Sequence, residues 1–248
     1  MRTVIRALSI LDLFSETAPR LRLVDVARLS GIDKATCHRM LRVLQSAGYL
    51  DQAADDRRYT LGPAVLRLAR MREALLPTQA LLQPVVQALA EATGETAHAS
   101  LVAGDKVVTV ASAEGQHANR VHVEKGGLLS PDTTASGLAC LAWAAPLSPT
   151  SPADPRLIAE ARRLGFACAR GTFDPDVLGL GAPIFGASAR AIGAIAVASP
   201  LSRMTPAAEA AIARHVLHAA AEATRLFAGT APLSYPSATE SCHDPLAL

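Results

Sequence analysis

The chain has 248 residues, half of them hydrophobic and 19% charged, which suffices for one or two packed domains and excludes a disordered polymer. No apolar run reaches the ~18 residues of a bilayer-spanning helix, and the N-terminus lacks a signal-peptide pattern, so no membrane association and a cytoplasmic location are expected. The net charge of +2 is unevenly spread: residues 1–74 carry 13 Lys and Arg against 8 Asp and Glu, the remainder 11 against 14.

Residues 1–14 read as an amphipathic helix with Ile5, Leu8 and Leu11 on one face, joined by Ile10 and Phe14. Pro19 follows, then a short helix from Leu23 to Leu29. Ser30-Gly31-Ile32 forms a tight turn, and the Asp33 carboxylate caps a third helix from Lys34 to about Ala47, burying Ala35, Met40, Leu41 and Leu44. Gly48 closes it. Two short strands, 49–52 and 58–62, flank a polar turn and form a β-ribbon. Pro63 opens a connecting helix to about Leu76, and Pro77 a further helical stretch to Thr93 that Pro84 kinks or restarts.

From Thr96 the pattern changes to strands. Ala97–Val102 and Val107–Ala111 form a hairpin, and Val121–Glu124 is a further strand. Helices are expected over Thr133–Ala144 and Asp154–Leu164, strands over Gly181–Phe185 and Ile192–Ala198. A last helix, capped by Thr205, runs from Pro206 to about Phe227. The tail from Gly229 lacks periodicity and reads as disordered. The four cysteines (Cys37, Cys140, Cys168 and Cys242) show no C-x-x-C spacing, which argues against zinc and disulfides, and no cofactor or metal is expected.

Three helices, a glycine turn and a ribbon in about 60 residues describe a winged helix-turn-helix, and the basic first third suits DNA. On its third helix Lys34, Thr36, His38, Arg39 and Arg42 fall mainly on the polar side. Arg39 suits bidentate recognition of guanine, Lys34 and Thr36 suit phosphate or a thymine methyl, and His38 is equally suited to packing. In the ribbon Arg57 and Arg58 suit phosphates or the minor groove.

Segment by segment the chain resembles the IclR family of bacterial transcription regulators. The resemblance is carried by Arg6–Leu11, Leu23–Ala27, Gly31–Leu41, Gly48-Tyr49-Leu50 and Arg58–Gly62. Further along, Thr93–His98, Thr134–Gly137, Ala182–Phe185 and Ala191–Pro200 keep the family's order. It implies an α+β protein: a winged helix-turn-helix (1–62), a dimerising linker helix (63–76), and a GAF-like effector-binding domain with an antiparallel sheet (77–228). It also implies a homodimer or homotetramer, a partly palindromic operator, more often repression than activation, and a small organic or aromatic acid as effector.

The resemblance places Thr134, Ala135, Ser136 and Gly137 at the effector pocket, where helix N-terminal amides and two hydroxyls suit a carboxylate. Three departures stand out. Gly179, Leu180, Ala196 and Ala198 are assigned to the same pocket; Gly179 stands where members binding small oxo acids carry a cysteine, and Ala196 and Ala198 stand where they present serines. The 145–156 segment is shortened and rich in proline. A less polar, roomier wall favours an aromatic or longer-chain acid. Two rival readings remain. An enzyme has against it the absence of G-x-S-x-G, H-E-x-x-H, Walker A and Rossmann motifs; His98, His117 and His122 have no evident nucleophile to serve. An effector-binding or oligomerisation module with vestigial DNA binding is opposed by Arg39, Arg57 and Arg58.

Overall fold

The computed structural model describes residues 2–143 and 153–236 and divides the chain into two units, Met1–Pro77 and Thr78–Leu248. Cys242 and most of the proline-rich 145–156 segment lie outside the described residues.

In the first unit, α1 (Arg2–Leu11), α2 (Leu23–Ser30) and α3 (Lys34–Ser46) precede an antiparallel ribbon of β1 (Leu50–Gln52) and β2 (Tyr59–Leu61). The linker α4 (Pro63–Leu75) follows. Gly31 adopts φ 65°, the left-handed conformation that ends α2, and the Asp33 carboxylate accepts the Thr36 N–H at 2.9 Å to start α3. The core gathers Ile10, Val26, Cys37, Met40, Leu41, Leu44, Leu50 and Tyr59. Tyr59 and Leu21 exchange backbone hydrogen bonds of 2.8 and 3.1 Å, which anchors the ribbon to the segment before α2.

Two burial expectations are corrected. In α1 the core takes Ile10, with Ala7 and Leu11 partly buried, while Ile5 and Leu8 are exposed. The apolar arc of this helix is wide, running through Val4, Ile5, Ala7, Leu8, Ile10 and Leu11, so periodicity alone could not choose which part of it faces inward. In α3 Cys37, not Ala35, completes the stripe with Met40, Leu41 and Leu44, because 37, 40, 41 and 44 follow the i, i+3, i+4, i+7 rule.

In the second unit, α5 (Thr78–Thr93) leads into β3 (Thr96–Ala103), β4 (Lys106–Ala113) and β5 (Leu128–Leu129). Then come α6 (Ala135–Trp143), α7 (Pro155–Leu164), β6 (Ala167–Arg170), β7 (Val177–Phe185), β8 (Ala191–Pro200) and α8 (Pro206–Leu226). The strands form one antiparallel sheet in the order β5-β4-β3-β8-β7-β6. Side chains alternate across it. Ala97, Ala99, Leu178, Ile184, Ile195 and Val197 pack with Leu82, Val86 and Leu89 of α5 and Val216 and Ala220 of α8. On the other face Ala167, Ala169 and Ala194 pack under Leu138, Ala139 and Cys140 of α6.

Here too the structure departs from the sequence reading. Pro84 lies within an unbroken α5. Val121–Glu124 is not a strand; Thr96 Oγ1 donates to the Val121 carbonyl at 2.6 Å, a side chain replacing a ladder partner, and β5 pairs with β4 instead. β6 was not expected, since Ala-Cys-Ala-Arg has no β-branched or aromatic signal. β7 begins at Val177, ahead of the expected start at Gly181, so Gly179 lies inside the strand as well.

The tail also needs correction. Residues 229–236 return to the domain, and the Tyr235 ring meets Trp143 and Phe185 edge-on, both at 5.1 Å. Its hydroxyl donates to the Gly165 carbonyl at 2.8 Å, and burial raises its pKa above the ordinary tyrosine value. Residues 237–248 lie outside the described residues. Truncating a buried aromatic costs about 3 kcal/mol and losing one hydrogen bond about 1 kcal/mol. Urea unfolding, followed by the single tryptophan, should therefore rank wild type above Tyr235→Phe and Tyr235→Phe above Tyr235→Ala.

Candidate functional site

In the first unit, α3 and the ribbon bound an open cleft of about 590 Å³. Lys34, His38 and Arg42 line it at i, i+4 and i+8 of α3, so they form a single stripe. Arg57 reaches it from the ribbon turn and Arg22 from the residue preceding α2. Four guanidinium or ammonium groups thus face one carboxylate, Asp56. Sequence reading missed Arg22, which precedes α2 and gave no helical signal.

Thr36 and Arg39 form a second stripe beside the first, where an Arg39 Nη donates to Thr36 Oγ1 at 3.0 Å. Arg39 is exposed, and this bond holds its planar fork over the first turn of the helix. The Thr36 N–H bond to Asp33 keeps that carboxyl below its usual pKa, so the cap stays ionised near neutrality. The two ribbon arginines diverge. Arg57 sits at the turn with φ 55°, its carbonyl accepting from Gln52 Nε2 at 3.0 Å, and its side chain is exposed. Arg58 turns toward Asp56, Nε to Oδ2 3.2 Å, and is half-buried.

In the second unit, Thr134–Gly137 open α6 as expected. Thr134 Oγ1 accepts the Gly137 N–H at 3.2 Å and donates to the Ser130 carbonyl at 2.7 Å. Gly137 is a packing requirement, since a Cβ there would lie 2.2 Å from Pro131 Cα. Beneath, strand register builds two rows on the α6-facing side of the sheet. One runs His98, Ala196, Gly181, Ala167; the other runs Thr96, Ala198, Gly179, Ala169. A Cβ on Gly179 would stand 3.1 Å from the Ala135 Cβ, and one on Gly181 3.0 Å from the Ala135 carbonyl carbon. Both glycines therefore let α6 settle on the sheet.

Gly179, Ala196 and Ala198 are thus brought beneath α6, but Leu180 is not. It points to the opposite face, into the cluster with α5 and α8, because neighbouring strand residues alternate sides. The space over Gly179 is taken up by Ala135. Sequence reading also missed His98 as part of this crevice. Its imidazole is buried, Nε2 lies 3.2 Å from Ser136 Oγ, and Nδ1 has no hydrogen-bond partner among the described residues. Its polarity inside an alanine-rich strand was the available signal. His122 instead pairs with Glu114 at the surface, and His117 is exposed, so the three histidines form no triad.

Cys37 and Cys140 are buried free thiols and Cys168 a half-buried one; burial pushes Cys140 up to about 12 and Cys168 to about 11. Among the described residues no group of three His, Cys, Asp or Glu side chains is placed to hold a metal, and no helix is long and apolar enough to cross a membrane.

A winged helix-turn-helix followed by a sheet unit with a small-residue layer beneath α6 defines a DNA-binding regulator. Residues 3–54 match the model of the IclR helix-turn-helix domain. An IclR-type transcriptional regulator structure from Silicibacter sp. TM1040 is 38% identical over 95% of this chain and all of that one, with TM-score 0.80. The chain belongs to the IclR family of transcriptional regulators. The regulator XynR of Escherichia coli K12 is 32% identical over 58% of this chain and 57% of its own length. An IclR homologue from Microbacterium hydrocarbonoxydans, solved with 4-hydroxybenzoate, shares the fold at 20% identity, covering 91% of this chain and 99% of that one, with TM-score 0.67.

The buried His98 has a consequence for stability. Desolvation lowers its pKa from 6.5 to about 4, so the folded state holds a neutral ring where the unfolded chain accepts a proton. Its contribution is therefore complete above pH 6.5 and is lost as pH falls toward 4. The difference amounts to about 3 kcal/mol. Denaturant unfolding at pH 7 and pH 4.5 should show this acid loss in wild type, and a markedly smaller one in His98→Gln.

Proposed function

We propose that the chain represses transcription by binding a partly palindromic operator as a homodimer or homotetramer, in the cytoplasm, and that an acid bound in the second unit controls it. The observation that carries this reading is the cleft between α3 and the ribbon, where Arg22, Lys34, Arg42 and Arg57 converge. Such a concentration of cations beside a helix of groove-fitting size suits a phosphate backbone, while the neighbouring Thr36–Arg39 pair suits base edges. Arg58, drawn toward Asp56, suits a supporting role in the wing.

Self-association is supported by exposed apolar side chains on α4, where Leu66, Met71 and Leu75 face solvent and nothing is buried. A symmetric dimer would present two recognition helices to half-sites about one or more helical turns apart.

The acid is assigned to the amino end of α6, beside Ala196 and Ala198, since Ala135 already covers Gly179 and Gly181. The 4-hydroxybenzoate held by the Microbacterium relative supports an aromatic acid, as does a floor with few hydrogen-bonding side chains. Ligand binding would shift the population between DNA-competent and incompetent states.

Two measurements test the two ends. In gel shifts against the upstream region of its own gene, Arg39→Ala should weaken operator binding by tenfold or more while leaving random-sequence binding within about threefold. Equal losses on both DNAs would reassign Arg39 to phosphate contact, and wild type that fails to shift any specific fragment would favour a module without DNA function. In calorimetry, benzoate or 4-hydroxybenzoate should bind more tightly than glyoxylate or pyruvate. Micromolar binding of the oxo acids with none of the aromatic ones would overturn the assignment of ligand class.

A further inference from the structure

The crevice beneath α6 contains one large polar side chain that its packing leaves half used. His98 keeps only 7% of its surface, and its Nε2 is engaged by Ser136 on the second residue of α6. Its Nδ1 is buried without a partner among the described residues. A buried ring nitrogen without a hydrogen bond is uncommon, because it forfeits its water without replacement. Across the sheet its β8 neighbour is Ala196, and beyond that stands Gly181, so no larger side chain fills the row on that side. His98, Ala198 and Thr134 each retain 7–8% exposure where these strands meet the start of α6. Among the described residues, the Ala135 and Ser136 amides enter no backbone or side-chain hydrogen bond other than those within the helix itself.

We infer that His98 is a ligand-contacting, specificity-determining residue, whose Nδ1 hydrogen-bonds the acid held at the amino end of α6. The inference rests on the effector reading above and adds to it the polar contact that the alanine floor lacks. Desolvation keeps the ring neutral near pH 7, so it offers one donor and one acceptor nitrogen. With Nε2 committed to the Ser136 hydroxyl, only Nδ1 remains for a ligand. An acid that placed no polar atom there would leave that nitrogen unsatisfied, which makes the position selective as well as attractive.

The two amide replacements separate this role from a bracing one. Asparagine places its amide head near the position of Nδ1, and glutamine reaches the position of Nε2. His98→Asn therefore keeps the proposed ligand contact and drops the Ser136 bond, whereas His98→Gln does the reverse. Calorimetry on the full chain would use whichever of benzoate, 4-hydroxybenzoate and pyruvate the wild type binds, with melting temperatures confirming the fold of each variant. The expected result is Asn within about threefold of wild type and Gln weakened tenfold or more. Gln equal to Asn, or better than it, overturns the role of Nδ1 while leaving the effector reading standing. Wild type that binds none of the three acids overturns the effector reading and this inference with it. Should either variant fail to fold, nitrogen NMR of the wild type replaces them: on adding the acid the His98 Nδ1 resonance must move, and an unmoved one refutes the contact.

Discussion

The second unit depends on how closely α6 lies on the sheet, and that distance is governed by side chains that are absent. Gly179 and Gly181 on β7 leave room for the backbone and Cβ of Ala135, and Gly137 lets the first turn of α6 pass over Pro131. A single Cβ at 181 would press on the Ala135 carbonyl carbon at 3.0 Å, and one at 137 on Pro131 at 2.2 Å. Interiors are packed too tightly to absorb such insertions without backbone movement. The crevice, the His98–Ser136 bond and the direction of the first α6 amides all follow from that approach. Seen this way, the small residues of this region first serve packing, and any ligand must fit what the packing leaves.

The register of the floor is fixed at its end by an ion pair. Glu95, immediately before β3, is almost fully buried and receives two hydrogen bonds from Arg203, just after β8, Nε to Oε1 2.5 Å and Nη to Oε2 2.8 Å. A paired fork of this kind is specific in geometry, and leaving either charge alone in that setting would be costly. Because β3 and β8 are neighbours, the pair holds Thr96 opposite Ala198 and His98 opposite Ala196. A shift of one residue would turn both rows to the other face of the sheet. The clamp and the glycines thus act on the same feature, one along the strands and one perpendicular to them.

The legibility of the sequence follows the range of the interactions involved. The first unit was readable because its signals are local: the Asp33 cap, the left-handed Gly31, and the 40, 41, 44 stripe are settled within a turn or two. Where the apolar arc of α1 is wider than the face it buries, local information cannot say that Ile10 goes inward and Ile5 and Leu8 outward. In the second unit β6 and the early half of β7 were invisible, since alanine and glycine carry little strand propensity and owe their conformation to partners far away in sequence. Leu180 was placed in the crevice through resemblance to a motif, and strand alternation put it on the far side. Arg22 and Tyr235 were missed for a related reason. Each lies in an irregular segment and gains its position from residues to which no periodic pattern connects it.

Polarity is distributed differently in the two units, and this bears on what each can discriminate. The α3 cleft is lined by long, exposed cations whose attraction for phosphate is strong but weakly dependent on sequence. Discrimination there must come from the few side chains with fixed geometry, and the Thr36-braced Arg39 is one. Beneath α6 the situation is reversed. Most of the side chains there are alanine and glycine and reject little, and the Thr134 and Ser136 hydroxyls are engaged by Ser130 and His98, so selectivity falls to the first helix amides and the unpartnered nitrogen of His98. An apolar floor with one fixed polar edge suits a ligand of the same make-up, an acid head on an apolar body. On the proposed assignment, the keto oxygen of a compact oxo acid would lie unsatisfied over Ala196 and Ala198, and the cost of that desolvation counts against it.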